Sequence, residues 1–479
     1  MMDGADYVSF KNLTITHDGT LDSWGVRMTN DNDNFMLDAC RIVMGTTTST
    51  SELTCIGSSS TATSQYGETD AGDNITIQNS AFVNGSFGIH FEVSSFDDSN
   101  FVAMNNTMMN NYYRYYMSDN AYDVTLSGNT ASGMTYSTGY GFAIYDIVGL
   151  EMTGNEVNAP YYGAYITDLN FDGNSPRTSL IANNSFISSG ATGQEGFYCD
   201  DCDTVNVYYN SFVTNSSSTS AYGGYFNDPR GVDVRNNLFY GTSNYAAYFS
   251  DNTTTTGTTS SPVNLDYNAY YTVNGANLAY DAGAQSDLAT WQANRAGTNT
   301  NSVSGDPILI NPASDAHVAG AILNGAATPI ASITMDIDGD MRDATTPDIG
   351  SDEYTPASCL PVGTFTTIMA YADSATVAWA DPNGSGTVFN IEYGLAGFTP
   401  GTGTTMMAHP DTFLTITGLT ANTNYEFYVT ADCGAGGIAS QSGPGAFSTT
   451  LAAPRVITCT TGISGSLFTE DFDNTTTFT

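Results

Sequence analysis

The sequence predicts an all-β chain: a parallel β-helix, a solenoid, followed by a β-sandwich. Three observations predict it. A turn built on asparagine recurs at Asn106, Asn129, Asn155, Asn184, Asn210, Asn237 and Asn268, in steps of 23, 26, 29, 26, 27 and 31 residues. Self-similarity at such a period is the mark of stacked repeats. Short strands that alternate apolar and polar residues precede these turns, among them DVTL, TVNVY and GVDV, and that alternation puts one face in and one face out. After Pro356 the repeat stops, and longer alternating strands begin.

The bulk composition agrees. Gly, Asn, Ser, Thr, Tyr and Asp abound, which is strand-and-turn chemistry with little helix signal. The 479 residues are 41% hydrophobic, enough for a large core and more than one domain. Ten basic residues face 49 acidic ones, for a net charge of −39, and Lys11 is the one lysine. Such a field repels phosphate backbones and anionic lipid, so no nucleic-acid partner is expected. It attracts cations, calcium first among the hard ones. No run of about 18 apolar residues is present, so no membrane insertion is expected. Seven cysteines suggest an oxidising compartment. The chain opens MMDGADYVSF, without a basic start or apolar stretch, and its tail EDFDNTTTFT stops in mid-pattern. The expectation is a fragment of a longer exported protein, extracellular or at the cell surface.

Upstream of the asparagine series, Asn79 lies 27 residues before Asn106, and Asn12 lies 26 before the similar slot at Asp38. The second strand of each turn is a hexapeptide: GVRMTN from Gly25, GIHFEV from Gly88, RYYMSD from Arg114, GFAIYD from Gly141, GAYITD from Gly163, GFYCDD from Gly196, GGYFND from Gly223 and AAYFSD from Ala246. Positions two and four, including Val26, Ile89, Phe142, Phe197, Met117, Ile144 and Phe226, are read as core. Position three then faces solvent and carries Arg27, His90, Tyr116, Ala143, Tyr165, Tyr198, Tyr225 and Tyr248. The long loop Thr46 to Asp73 interrupts one rung, and such insertions often shape a binding face.

These motifs, G-apolar-x-apolar followed by an N-N-x-F turn, resemble the right-handed parallel β-helix repeats of pectin-lyase-like bacterial secreted and surface proteins. The resemblance covers Tyr7 to about Tyr271. LATWQAN from Leu288, GDPILINP from Gly305 and DIDGDMRDATTPDIGSDEY from Asp336 look like the segment that closes such a helix. In the last part, GLTANTNYEFYV resembles a fibronectin type III domain, with Leu419 and Tyr425 placed like that family's tyrosine corner. Cys359 precedes its first strand and Cys433 ends a late one, so the two are expected to pair. The expected layout is a β-helix over 1–280, its closing segment over 281–356, the fibronectin-like domain over 357–452 and the start of a further module over 453–479, whose Cys459 is the odd cysteine.

Three sets of side chains are candidates for function. Tyr116, Tyr165, Tyr198, Tyr225 and Tyr248 form an outward file that either stacks on sugar rings of a polysaccharide or cell-surface glycan, or stacks on itself to hold the sheet. Asp119, Asp146, Asp168, Asp201, Asp228 and Asp251 end successive hexapeptides, either as turn formers or as a ladder for weak calcium binding. The third set is catalytic. A uronan lyase needs a base and a cation to neutralise the carboxylate, and His90, Glu92, Arg114 and Tyr116 supply both types. A hydrolase needs paired carboxylates, and Asp200, Asp201 and Asp228 with Arg230 are the best cluster. The leading expectation is a non-catalytic protein for glycan binding or adhesion; the alternative is a polysaccharide lyase or glycoside hydrolase acting on uronic-acid-containing glycans. In DIDGDMRD the glycine falls at the fourth position where an EF-hand needs it at the sixth, so a structural cap with Arg342 as counter-charge is favoured. CDDC from Cys199 is a local disulfide or a buried thiol. Cys40 and Cys55 flank the start of the inserted loop as a candidate staple. His17, His317 and His409 stand singly and read as exposed or structural.

Overall fold

The computed structural model describes residues 1–19, 23–93, 98–170, 177–242, 245–250, 264–275, 277–355, 359–383, 387–433 and 438–451. They divide into two compact units, Met1–Ala357 and Ser358–Thr479.

The first unit is a three-faced parallel β-helix. One face stacks the hexapeptide strands, from Ser23–Thr29 through Phe87–Glu92 and Tyr162–Thr167 to Tyr245–Ser250. The second stacks the strands that precede each asparagine, such as Val205–Tyr208, and the third those that follow, such as Ser211–Thr214. In two rungs the chain runs from the first face into the second without a break, as Arg114–Ser127 and Tyr140–Thr153. These two faces therefore form one 20-stranded sheet, while the third is an 11-stranded sheet.

The asparagines set the coil spacing. Asn155 Nδ2 donates to Asn184 Oδ1 at 2.8 Å and to the Leu126 carbonyl at 2.8 Å, and Asn155 N donates to the same Asn184 oxygen at 3.0 Å. The pattern repeats from Asn106 to Asn268 and ends on Ser302 Oγ. At the upstream end Ser80, not Asn79, fills the slot, with its amide on Asn106 Oδ1. Asn79 is instead the left-handed residue before the slot, at φ 52°. Asn and Asp reach that region more readily than other side-chain-bearing residues.

Glycine opens most hexapeptides because rungs approach closely there. A Cβ on Gly163 would lie 2.5 Å from the Gly196 carbonyl, and one on Gly141 would lie within contact distance of the Gly163 carbonyl. Inside, like rings stack along the axis: Phe186 on Phe212 at 6.2 Å, Phe226 on Phe249 at 5.1 Å and Phe239 on Tyr270 at 5.3 Å.

The closing segment has two jobs. Its helix, Leu288–Asn294, is capped by Asp287 and inserts the buried Trp291 beside Phe249 and Tyr270. Trp291 Nε1 donates to Asp281 at 2.8 Å, and Arg295 pairs with the same carboxylate. Beyond the helix the chain returns along the outside of the third face. Asn158 and Asn183 donate to the Ala313 and Met335 carbonyls. Arg342 lies 4.0 Å over the Tyr209 ring and donates to Asn183 Oδ1 and the Gly350 and Ser351 carbonyls. Asp336 accepts from the amides of Asp338, Asp340 and Glu353, so its carboxylate holds the loop's own backbone.

The inserted stretch after Thr46 does more than interrupt. Leu53–Ser58 is itself a rung, paired in parallel with Ser23–Thr29 and Phe87–Glu92. Cys40 and Cys55 are both buried and unbonded, so no staple joins them.

The second unit is a sandwich of a three-stranded and a four-stranded antiparallel sheet. Trp379, Phe389, Ile391, Val429 and Phe447 fill it. Tyr425 Oη accepts the Thr420 amide at 2.9 Å, which pins the corner. Cys359 and Cys433 are bonded, as are Cys199 and Cys202 in the β-helix. Asp251 and Cys459 lie outside the described residues.

Candidate functional site

The register decides which tyrosines share a face. Tyr165 aligns with Tyr198, Tyr225 and Tyr248 in successive rungs, and Tyr248 with Tyr280. In the other direction the file runs through Ala143, Met117 and His90. Tyr116 is not in it. It aligns with Ile89 and Phe142 and is 1% exposed, inside the core. The hexapeptide of that rung starts at Tyr115, one residue later than the sequence pattern suggested. Its turn residue is Asn120, at φ 53°, in place of Asp119. Met117 accordingly leaves the core for the outward file.

The outward rings stack on one another. Tyr165 and Tyr198 lie 4.7 Å apart and 3° from parallel; Tyr198 and Tyr225, 5.1 Å and 5°; Tyr248 and Tyr280, 4.3 Å and 5°. Their broad faces are therefore taken by neighbours, and what each rung presents is a ring edge with its hydroxyl. A second file flanks the first, three residues earlier in each strand. It holds Tyr140 and Tyr162, then Tyr222 and Tyr245, and its rings meet the first file at 4.9 to 6.1 Å. Burial, aided by neighbouring carboxylates and phenols, pushes the Tyr165, Tyr198 and Tyr225 phenols upward, so they stay neutral donors.

Glu195 interrupts the second file, between Tyr162 and Tyr222 by register. It is 4% exposed, and one carboxyl oxygen has no hydrogen-bond partner. Burial pushes its carboxyl up to about 8, so it is neutral at pH 7. The sequence reading passed over it, although its place just before GFYCDD is where other rungs carry an aromatic.

The lyase candidates meet at the other end of the same face, but under cover. His90 is 0% exposed, lidded by the inserted stretch. Its Nε2 donates to the Gln65 carbonyl at 2.8 Å, with Glu92 Oε2 at 3.5 Å, and Tyr66 packs edge-on at 5.7 Å. Burial lowers the imidazole, which holds it neutral. Arg114 is buried among the Tyr113, Tyr140 and Tyr145 rings, 4.8 to 5.7 Å away. An outward position in a rung is thus not an exposed one here. Asp119 aligns with Glu92 and Tyr145, and burial with Asp146 and Glu92 nearby pushes it up to about 7.

The hydrolase candidates are tied down. Asp200 accepts from Asn227 at 2.6 Å and Tyr198 at 3.3 Å, while Arg230 spans Asp201 at 3.0 Å and Asp228 at 3.2 Å. Asp146, Asp168, Asp201 and Asp228 all adopt φ between 47° and 56°, the left-handed turn conformation. That accounts for an Asp at each of these positions without a cation.

On the third face, a groove of about 480 Å³ is lined by Thr130, Glu156, Asn158, Ser185, Asp315 and His317, among others. His317 does not stand alone. Its Nδ1 meets Asp315 Oδ1 at 2.6 Å and its Nε2 meets Asp338 Oδ2 at 2.9 Å. Burial works against its charge, but the bonds to Asp315 and Asp338 push the imidazole up to about 9. His409 Nε2 donates to the Phe413 carbonyl at 2.7 Å.

Residues 24–230 match the NosD family, described as a periplasmic copper-binding protein. Residues 361–445 match the fibronectin type III domain. A β-helix followed by a fibronectin type III domain is therefore the architecture of the chain. No curated protein matches it. Among solved structures, it is similar to the FN1-FN3 domains of chicken CNTN1, at 15% identity over 19% of this chain and 32% of that one, with a TM-score of 0.17. It is also similar to a computer-redesigned β-sandwich, at 25% identity over 19% and 97% of the two chains with a TM-score of 0.17. The fibronectin type-III domain of human fibronectin type III domain containing protein 3 matches at 22% identity over 22% and 94%, with a TM-score of 0.18.

Proposed function

We propose that the chain is an exported β-helix protein, periplasmic or at the cell surface, that binds neutral polysaccharide along its tyrosine face and does no chemistry on it. The observation that carries this reading is the pair of adjoining tyrosine files running from Tyr140 to Tyr280. They offer ring edges and hydroxyls at a repeat of about 4.8 Å. Tyrosine suits such a surface because one side chain combines an apolar body with a hydroxyl. Neither file contains a Lys or Arg from Tyr162 to Tyr280 among the described residues, and the chain's charge of −39 repels uronates. Both points favour a neutral glycan over the acidic one a lyase would need. The NosD description and the fibronectin domain support an exported location, and no helix among the described residues is long and apolar enough to cross a membrane.

The description of that family names copper. The matched residues fit it poorly. Cys40 and Cys55 are buried, Cys199 and Cys202 are bonded to each other, and His90 is closed in by Gln65 and Glu92. Among the described residues of 24–230, no three His, Cys, Asp or Glu ligand atoms converge. The calcium ladder likewise gains nothing from Asp146 to Asp228: all four residues take the left-handed turn backbone, and the Asp201 and Asp228 carboxylates meet Arg230.

A glycan array spanning neutral and uronic-acid polymers, read together with an assay for unsaturated products and new reducing ends, tests the reading. Binding to neutral glycans without product supports it. Product from any uronan, or binding confined to acidic glycans, would overturn it.

A further inference from the structure

The structure assigns a second site, away from the tyrosine face: we propose that His317, Asp338 and Asp352 bind a divalent transition ion of the zinc class, with Asp315 orienting the imidazole. One ring nitrogen of His317 and one carboxylate oxygen each from Asp338 and Asp352 lie within 4.8 Å of one another, and Nε2 is the nitrogen that meets Asp338 Oδ2, at 2.9 Å. Among the described residues this is the one such convergence of three His, Cys, Asp or Glu ligands.

Three features distinguish it from a patch of surface acids. The imidazole is the first. Nitrogen with two carboxylates suits zinc and its neighbours, whereas calcium and magnesium prefer all-oxygen sets. The second is orientation. Asp315 Oδ1 holds Nδ1 at 2.6 Å and also accepts the His317 amide at 3.0 Å, leaving Nε2 turned toward Asp338. A carboxylate behind a histidine is the common outer support of a ligating imidazole, fixing ring and tautomer. The third is Asp352. It is 7% exposed, one oxygen takes only the Val318 amide at 3.3 Å, and the other receives no hydrogen bond from a described residue.

The fold brings these groups together from separate places. His317 and Asp315 sit on the strand Asp315–Val318. Asp338 follows Asp336, whose carboxylate grips the loop backbone, and Ile337 N donates to the Ser351 carbonyl at 3.0 Å, which draws that loop beside Asp352. His317 and Asp315 also line the 480 Å³ groove, so the site lies at the edge of a space open to solvent and solutes.

The test is a titration of the full chain with zinc in excess magnesium, followed by copper(II) as a spectroscopic stand-in. The expected result is one saturable zinc site that magnesium does not displace, and a copper signal with nitrogen coupling from one imidazole. His317→Gln should abolish the nitrogen coupling, Asp338→Asn should weaken zinc strongly, and Asp315→Asn should loosen it by roughly 10–100-fold. Each variant is checked for an unchanged circular dichroism spectrum, and Asp338, partly exposed, can be changed without opening the core. Zinc that magnesium displaces, a site indifferent to His317→Gln and Asp338→Asn, or no saturable binding would overturn the proposal and leave the cluster as an imidazolium cross-link.

Discussion

Asn155 and Asn184 are 29 residues apart in the chain and hydrogen-bonded side chain to side chain at 2.8 Å. Both are fully buried. Asn184 Oδ1 takes both the side-chain and the backbone N–H of Asn155, while its own amide group reaches the Met152 carbonyl and Asn210. Removing it takes a partner from donors on the Asn155 rung and from acceptors on that rung and on the Asn210 rung. Each buried group left unpaired costs about 1–3 kcal/mol. Asn184→Ala should therefore destabilise the β-helix by about 2–4 kcal/mol, read as a shifted midpoint in urea. Asn183→Ala, just outside the ladder, gives up bonds to the Met335 carbonyl and to Arg342, which keeps the Gly350 and Ser351 carbonyls, and should cost less.

Trp291 closes one end of the core, and its indole N–H is spoken for by Asp281. Trp291→Ala should cost about 3–5 kcal/mol. Because it uncovers Phe249 and Tyr270, it should also raise binding of an apolar dye before the main unfolding transition.

Glu195 makes stability depend on pH in a stated direction. Its carboxyl rises from an ordinary 4.5 to about 8 on folding. Below the lower value both states hold the proton and nothing is gained or lost. Between the two, the unfolded chain gives it up and the folded chain keeps it, so stability falls as pH rises and the loss is complete above about 8. Glu195→Gln should flatten this part of the profile, measured as melting temperature between pH 5 and pH 8. A variant profile as steep as the parent's would mean that Glu195 is ionised in the wall.

In the sandwich, the Cys359–Cys433 bond closes a 74-residue separation. Reduction should lower that domain's stability by about 2–4 kcal/mol, and Cys359→Ser with Cys433→Ser should reproduce it. The unit Met1–Ala357 should keep its own transition.

The repeat itself was open to reading in the sequence, because the asparagine spacing, the glycine that opens most second strands and the file Tyr165, Tyr198, Tyr225 and Tyr248 all follow from one period. The rung at Arg114 was not. Tyr115, Tyr116 and Met117 are apolar enough for either phase of the alternation, and Asp119 and Asn120 both suit the turn, so the pattern fits in two registers. Only pairing with Ile89 and Phe142 chooses between them. The cover over His90 comes from Gln65 and Tyr66, more than 20 positions away, and no local pattern announces it. The same holds for His317, whose partners at 338 and 352 depend on how the closing segment folds back. Glu195 was legible: it sits at a repeat position whose other occupants are aromatic.

The phenol hydroxyls are the most direct point at which to test the glycan reading. Calorimetry with the best neutral polysaccharide compares the parent with Tyr165→Phe, Tyr198→Phe and Tyr225→Phe combined. The substitution keeps every stacked ring and removes only the outward oxygens. The account predicts that binding falls by at least tenfold while the melting temperature holds. Unchanged affinity in that variant would contradict it and leave the tyrosine files as scaffolding alone.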